Sequence, residues 1–369
     1  MVLERKLKVL QMLPALEGGG VERGVVELNQ FLVTEGHESL VISAGGRLVE
    51  TIEKDGGTHI AWGIGKKSPW TLRYVYRLRR FLREEGIDLL HLRSRVPAWV
   101  GYLAWRGMPV NDRPRLVTTV HGFYSVNRWS SVMTRGERVI AVSEAVREYV
   151  EINYPNVDPK IVEVIHRGID PSRYHHGFTP SEQWKQAWLE EFPGCRGKSV
   201  LVLPGRLSRL KGHDDFLRII GDLKSRGLPV HGFIVGGVAQ GKDSYAREIS
   251  TLQKELGLSD DVTMTGHRED IRKVLSFSNL SFSLSRQPES FGRTVCEALS
   301  LGHPVIGYDQ GGVGEQLRAL LPEGRVIPGD WWAAANLAEK FLSNPPLVKP
   351  NDTFLLNHAL RRTLALYEQ

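Results

Sequence analysis

Two doubly wound α/β domains in tandem are what this sequence predicts. Short apolar runs alternate with segments of helical spacing along the chain, the pattern of βαβ units on a parallel sheet covered on both faces. The rhythm breaks over residues 168–183, rich in Gly, Pro and His, and then restarts. The length of 369 residues also exceeds what one hydrophobic core ordinarily serves.

In the first half, residues 8–13, 39–43, 89–92, 116–120 and 139–143 read as strands. Val21, Val25, Leu28 and Leu32 recur at helical spacing over 21–35, and Gly36 ends that helix. Residues 72–85 read as a basic helix, and Ser143 with Arg147 and Val150 opens another. In the second half, strands are expected at 199–203, 230–235, 262–265, 280–284 and 304–307, with helices at 214–226 and 245–256. Residues 351–368 read as an amphipathic helix carrying Leu355, Leu356, Leu360, Leu364 and Tyr367. The expected division is a first domain over 1–172 and a second over 173–350, with 351–369 packing back on the first.

Composition narrows the class. An apolar content of 41% and a charged content of 24% are ordinary for a globular protein. No run of 18 apolar residues suits a membrane span, and residues 1–7 read as a short charged lead into a strand, without the apolar core of a secretory signal. Cys195 and Cys296 offer neither a disulfide framework nor metal-ligand spacing, so the cytosol is the expected compartment. Residues 66–138 hold 15 Lys and Arg against 5 Asp and Glu. That block reads either as a surface for an anionic acceptor or anionic membrane face, or as a solvated basic face. Nucleic acid is disfavoured: no zinc-finger spacing, basic zipper or RNA-binding aromatic signature is present.

The chemistry concentrates in a few motifs. Glu289 and Glu297 stand eight positions apart, separated by a Ser290-Phe291-Gly292-Arg293 turn suited to opening a helix. A helix start offers unpaired N–H groups and a positive dipole end to a phosphate, with one carboxylate before it and one roughly 12 Å further on. A diphosphate flanked by hydroxyl-bearing sugars matches that layout. Arg206 and Lys211 lie on the loop after the first strand of the second half; arginine grips phosphate bidentately and lysine as a point charge. Arg209 between them is a spare cation. Gly18-Gly19-Gly20 follows the first strand and lets the backbone approach a ligand closely. Its distance from the strand and its off-by-one spacing disfavour a dinucleotide fingerprint.

Together these pieces resemble a family 4 glycosyltransferase of the GT-B fold, similar to bacterial enzymes that build lipopolysaccharide and other glycolipids. The resemblance is carried by Gly18-Gly-Gly-Val-Glu-Arg23, Gly36-His-Glu38, Thr119-Val-His-Gly122, Ala141-Val-Ser-Glu144, Val164-Ile-His-Arg-Gly-Ile-Asp170, Gly205-Arg-Leu with Lys211-Gly212, Thr265-Gly-His267, the Glu289 and Glu297 pair, and Gly311-Gly-Val-Gly-Glu315. It implies two Rossmann-like domains facing a central cleft and a nucleotide sugar, UDP-linked in first instance, as donor. Arg206 and Lys211 would neutralise the diphosphate, with backbone N–H groups from Ser290 to Arg293 completing the cradle. Glu297 would bind the ribose, Glu289 the transferred sugar, and His267 with Arg268 would pass near the base. Gly19 and Gly20 would face the ligand, and His121 would face the transferred sugar. His166 and Arg167 replace the Pro-Asn often found there, which puts extra cations beside the expected interdomain connection.

The implied reaction retains anomeric configuration and needs no cofactor; the chain contains no Asp-x-Asp, so no metal is expected. The acceptor implied is a glycolipid or oligosaccharide, with peripheral contact to an anionic membrane. Other readings are a GT-B sugar-nucleotide epimerase, a non-catalytic sugar-nucleotide-binding protein and, disfavoured by the long first loop, an NAD-dependent oxidoreductase.

Overall fold

The computed structural model describes residues 6–238 and 243–369, so residues 1–5 of the charged lead lie outside the described residues. The chain divides into two compact units: one ends at His166 and takes in Asn357–Gln369, and the other is Arg167–Leu356. The division thus falls earlier than residue 172, and residues 351–356 stay with the second unit.

The first unit holds a parallel sheet of β1 (Lys8–Met12), β2 (Glu38–Ser43), β3 (Thr58–Ala61), β4 (Leu89–Leu92), β5 (Arg115–Val120), β6 (Arg138–Ala141) and β7 (Val162–Val164). Its order is β3-β2-β1-β4-β5-β6-β7, so the direction of winding reverses between β1 and β4. The strands are apolar runs because helices cover them on both sides; β4 is buried at every position. The helix Gly20–Thr34 turns Val25, Leu28 and Leu32 inward. Leu28 and Leu32 meet Val9, Leu89, Leu366 and Tyr367, which brings the last helix, Leu356–Glu368, onto this sheet. Each such fully buried side chain contributes roughly 1.5–3 kcal/mol.

The second unit repeats the plan with β8 (Ser199–Pro204), β9 (Val230–Val235), β10 (Val262–Gly266), β11 (Leu280–Ser283), β12 (Val305–Tyr308) and β13 (Arg325–Val326). The order is β10-β9-β8-β11-β12-β13, reversing between β8 and β11. Ligands of open α/β sheets bind outside the carboxyl ends of strands at such reversals.

Some sequence expectations needed correction. The terminal helix begins at Leu356, not at 351. Asn351 closes a loop instead: its carbonyl accepts from the Phe354 N–H (2.8 Å), and its amide donates to the Phe354 carbonyl (3.1 Å) and the Ser300 hydroxyl (2.8 Å). The segment 168–183 gives way to a helix, Glu182–Glu191, whose N-cap Ser181 accepts from the Trp184 N–H.

Candidate active site

The reversal between β8 and β11 gathers most of the charged candidates of the second unit. The loop after β8 carries Arg206 and Lys211 and ends at Gly212, which opens the helix His213–Ser225. Gly212 sits at φ +69°, and a Cβ there would lie 2.1 Å from the Leu284 carbonyl oxygen, so only glycine lets this loop press against the end of β11. That contact places Lys211 beside the β11 loop. Its Nζ lies 2.7 Å from Glu289 Oε1. The Ser285 hydroxyl donates to the same carboxylate oxygen. Ser285 is steadied in turn by the Gln310 amide, which donates to its carbonyl at 2.5 Å.

Glu289 is also held through its backbone. Its carbonyl accepts from the Gly312 N–H at 2.8 Å, and a Cβ on Gly312 would come within 2.5 Å of Phe291 Cα. The glycines at the start of the helix Gly311–Leu320 therefore let that helix close on the Glu289 loop. A narrow recess here is lined by Pro204, Lys211, Ser285, Glu289, Gly292 and Thr294. Arg206 is exposed, and among the described residues it makes no ion pair.

Gly292, at φ +81°, is the N-cap of the helix Arg293–Ser300. The Phe291 side chain turns into the core against Phe354, so only the main chain of 290–293 can serve a ligand together with the Ser290 and Arg293 side chains. Glu297 is 4% exposed, with Arg293 Nε 3.3 Å from its Oε1. Tyr174 also bonds to Glu297; burial first, and the neighbouring carboxylate second, push that phenol up to about 12.

Two candidates have partners that the sequence does not show. The Arg268 guanidinium pairs with Glu191 (2.8 Å) and Asp270 (2.9 Å) and lies over the Trp188 ring, which ties the β10 loop to neighbouring helices. Those hydrogen bonds to Asp270, then to Glu191, raise its pKa further. Arg209 is no spare either: it pairs with Glu248 and lies over Tyr245. His267, just past β10, is exposed.

In the first unit, the Gly18 and Gly19 N–H groups donate to Glu22 of their own helix, so those amides are occupied, and Gly20 begins the helix. His121 is half-buried at the carboxyl end of β5, its N–H donating to the Tyr124 hydroxyl at 3.2 Å. Among the described residues, no group of three or more His, Cys, Asp and Glu could hold a metal ion, and no helix is long and apolar enough to cross a membrane.

This arrangement coincides with two family matches. Residues 18–173 match Glycosyltransferase Family 4, and residues 188–352 match Glycosyl transferases group 1. The chain belongs to the family 4 glycosyltransferases. The enzyme is similar to the N-acetyl-alpha-D-glucosaminyl L-malate synthase of Bacillus anthracis, with 25% identity over 334 residues, covering 85% of this chain and 81% of that one. It is similar to a glycosyltransferase of Rickettsia africae, with 26% identity and a TM-score of 0.86 over 98% of both chains. It shares its fold with HepE of Anabaena, solved with UDP-glucose, at 20% identity and a TM-score of 0.78 over 98% of both chains. The two parallel-sheet units are those of the GT-B glycosyltransferases.

Sequence reasoning about the enzyme missed Ser285, Tyr174 and Gln310. Ser285 follows an apolar strand and precedes Glu289 by four positions, a signal that was available. Tyr174 and Gln310 reach the site only through the tertiary fold.

Proposed function

We propose that the enzyme moves a hexosyl unit from a nucleoside diphosphate sugar, a UDP-sugar in first instance, to a hydroxyl of a glycolipid or lipopolysaccharide-type acceptor. It does so with retention of configuration and without a metal ion. The observation that carries this reading is the Lys211–Glu289 contact of 2.7 Å at the sheet's reversal, with Arg206 exposed on the loop that carries Lys211. This ion pair is a matched set of opposite charges. A diphosphate takes the lysine and sugar hydroxyls take the carboxylate, so donor binding exchanges one set of polar contacts for another.

As the bond from the anomeric carbon to the phosphate oxygen breaks, negative charge grows on the leaving diphosphate. Arg206, Lys211 and the N–H groups at the start of the helix Arg293–Ser300 are fixed donors for that charge. The acceptor oxygen forms the new bond on the same face, and its proton passes to the departing phosphate. Glu289 positions the sugar and Glu297 the ribose. His121, in the first unit, is the residue to which the family pattern gives a role toward the transferred sugar. UDP as carrier is supported by the HepE complex.

The acceptor reading is supported by the segment after β3. Trp70 (78% exposed), Leu72 and Tyr76 (73% exposed) stand out among Lys66, Lys67, Arg73, Arg77, Arg80 and Arg83. Next to them a cavity of about 480 Å³ is lined by Leu72, Val96, Trp99, Val100 and Trp129, with Lys66 at its edge. Aromatic residues interleaved with cations suit an anionic lipid surface.

Titration calorimetry with UDP, GDP, ADP and NAD, together with donor hydrolysis over a panel of nucleotide sugars in EDTA, tests the reading. UDP binding and metal-free hydrolysis of a UDP-sugar are expected. A preference for NAD, or a rate abolished by EDTA, overturns it.

A further inference from the structure

We propose that Arg93 is an oxyanion-recognition residue of the first unit, holding a carboxylate or phosphate group of the acceptor. It rests on the transferase reading only in naming the acceptor as the bearer of that anion. Arg93 immediately follows β4, and its N–H donates to the Met12 carbonyl at the end of β1, so it stands at the reversal of strand order in the first sheet. The location is where an open α/β sheet accommodates a ligand.

The side chain is in an unusual state for a structural cation. It is 7% exposed, yet among the described residues no carboxylate lies in ion-pair range of its guanidinium. Glu27 and Tyr367 act on it only electrostatically, from further away. Its Nε is buried with no hydrogen-bond partner. Nη1 reaches only His91 Nδ1, at 3.4 Å. That imidazole nitrogen has one lone pair, and the Tyr367 hydroxyl already lies 2.5 Å from it, while His91 Nε2 is 2.6 Å from Thr119 Oγ1. Gly24 packs against one side of the guanidinium: a Cβ there would lie 3.2 Å from Nη2, so only the bare backbone of the helix Gly20–Thr34 lets the side chain take this position.

A buried guanidinium without a counter-charge is costly, and replacing it by an apolar side chain of similar volume is often neutral or stabilising. Such a group is explained when an oxyanion completes it, because the planar fork matches carboxylate and phosphate bidentately. The Nε and Nη2 donors are the edge left over once Nη1 has turned to His91. A structural role predicts the opposite: Arg93→Met would leave His91 and Tyr367 disarranged and the fold weaker.

The test uses the full chain saturated with UDP, so that added anions do not settle on the donor's phosphate site. Inorganic phosphate and succinate are titrated separately into protein with ¹⁵N-labelled arginine, following the Arg93 Nε–H resonance and the melting temperature. The expected result is a saturable shift of that resonance and a raised melting temperature with one of the two anions, which also identifies the oxyanion. Both responses vanish in Arg93→Met, whose own melting temperature equals or exceeds that of the wild type. No shift with either anion, an unchanged anion response in Arg93→Met, or a marked loss of stability in that variant together with a silent resonance would overturn the assignment. UDP affinity is read in the same samples, so a failure of the donor site registers separately.

Discussion

The two sheets reverse their strand order once each, and the two reversals are furnished in opposite ways. At the β8–β11 reversal, cation and carboxylate meet: Lys211 Nζ and Glu289 Oε1 are 2.7 Å apart, both half-buried and reachable. At the β1–β4 reversal, the polar groups are buried. Arg93 is buried without a carboxylate, the Gly18 and Gly19 amides are closed by Glu22, and His91 lies between Tyr367 and Thr119. One fold thus supports two kinds of crevice. An exposed matched pair exchanges partners cheaply, because a half-exposed ion pair is worth only about 0–1 kcal/mol. A buried guanidinium without a counter-charge instead carries a desolvation cost, which an incoming oxyanion would offset.

The largest effect that could break this contrast is catalytic. Lys211→Ala and Glu289→Ala should each lower kcat/KM about 10³-fold, or about 4 kcal/mol of transition-state stabilisation, in a donor-hydrolysis or transfer assay. The double variant should be little worse than either single one, since the pair acts as a unit. Melting temperatures should barely move. Wild-type kcat/KM in either variant would remove that residue from the site.

The next effect sharpens the contrast through acid. Burial pushes His303 down to about 3, and His213 and His231 down to about 4, all in the second unit. Burial, and then the Arg93 charge, hold His91 well below the ordinary range. The unfolded chain takes up protons near pH 6.5 that these folded imidazoles refuse, so stability is complete above that pH and falls as pH drops toward 4. Urea midpoints at pH 7 and pH 5 should show the loss; equal midpoints would contradict it.

A smaller effect probes the β1–β4 crevice. Tyr367→Phe deletes the hydroxyl next to His91 and should cost about 1–2 kcal/mol of unfolding free energy while leaving UDP affinity unchanged. A UDP affinity that falls with it would end the separation of the two crevices. The smallest effect concerns the basic aromatic segment. Trp70→Ala should weaken co-sedimentation with anionic vesicles several-fold, and raised salt should weaken the wild type as well. Equal binding to neutral and anionic vesicles would remove that surface from the account.

The architecture was largely legible because parallel strands read as unbroken apolar runs; Val230–Val235 stands where the sequence put it. What escaped was less apolar or less regular. β3 is a short edge strand with exposed ends, and the helix Arg95–Arg106 carries Pro97 in its first turn. The helix expected from residue 351 starts later because the Asn351 side chain caps a loop, a competition that periodicity does not register. At the β8–β11 reversal, the cations, carboxylates and glycines were readable as residue types. The ion pair was not, since β8 and β11 are neighbours only through the sheet's winding. The hold on Arg268 was not readable either, because Glu191 comes from a helix remote in sequence. Arg93 offered a signal that went unused: a charged residue directly after the wholly buried run Leu89–Leu92.

The most direct test is a crystal structure of the enzyme with bound UDP. The account predicts a diphosphate at the carboxyl ends of β8 and β11, within about 3 Å of Lys211 Nζ and in reach of Arg206, with the Lys211–Glu289 pair parted. A nucleotide seated anywhere else, with that pair intact, would contradict it.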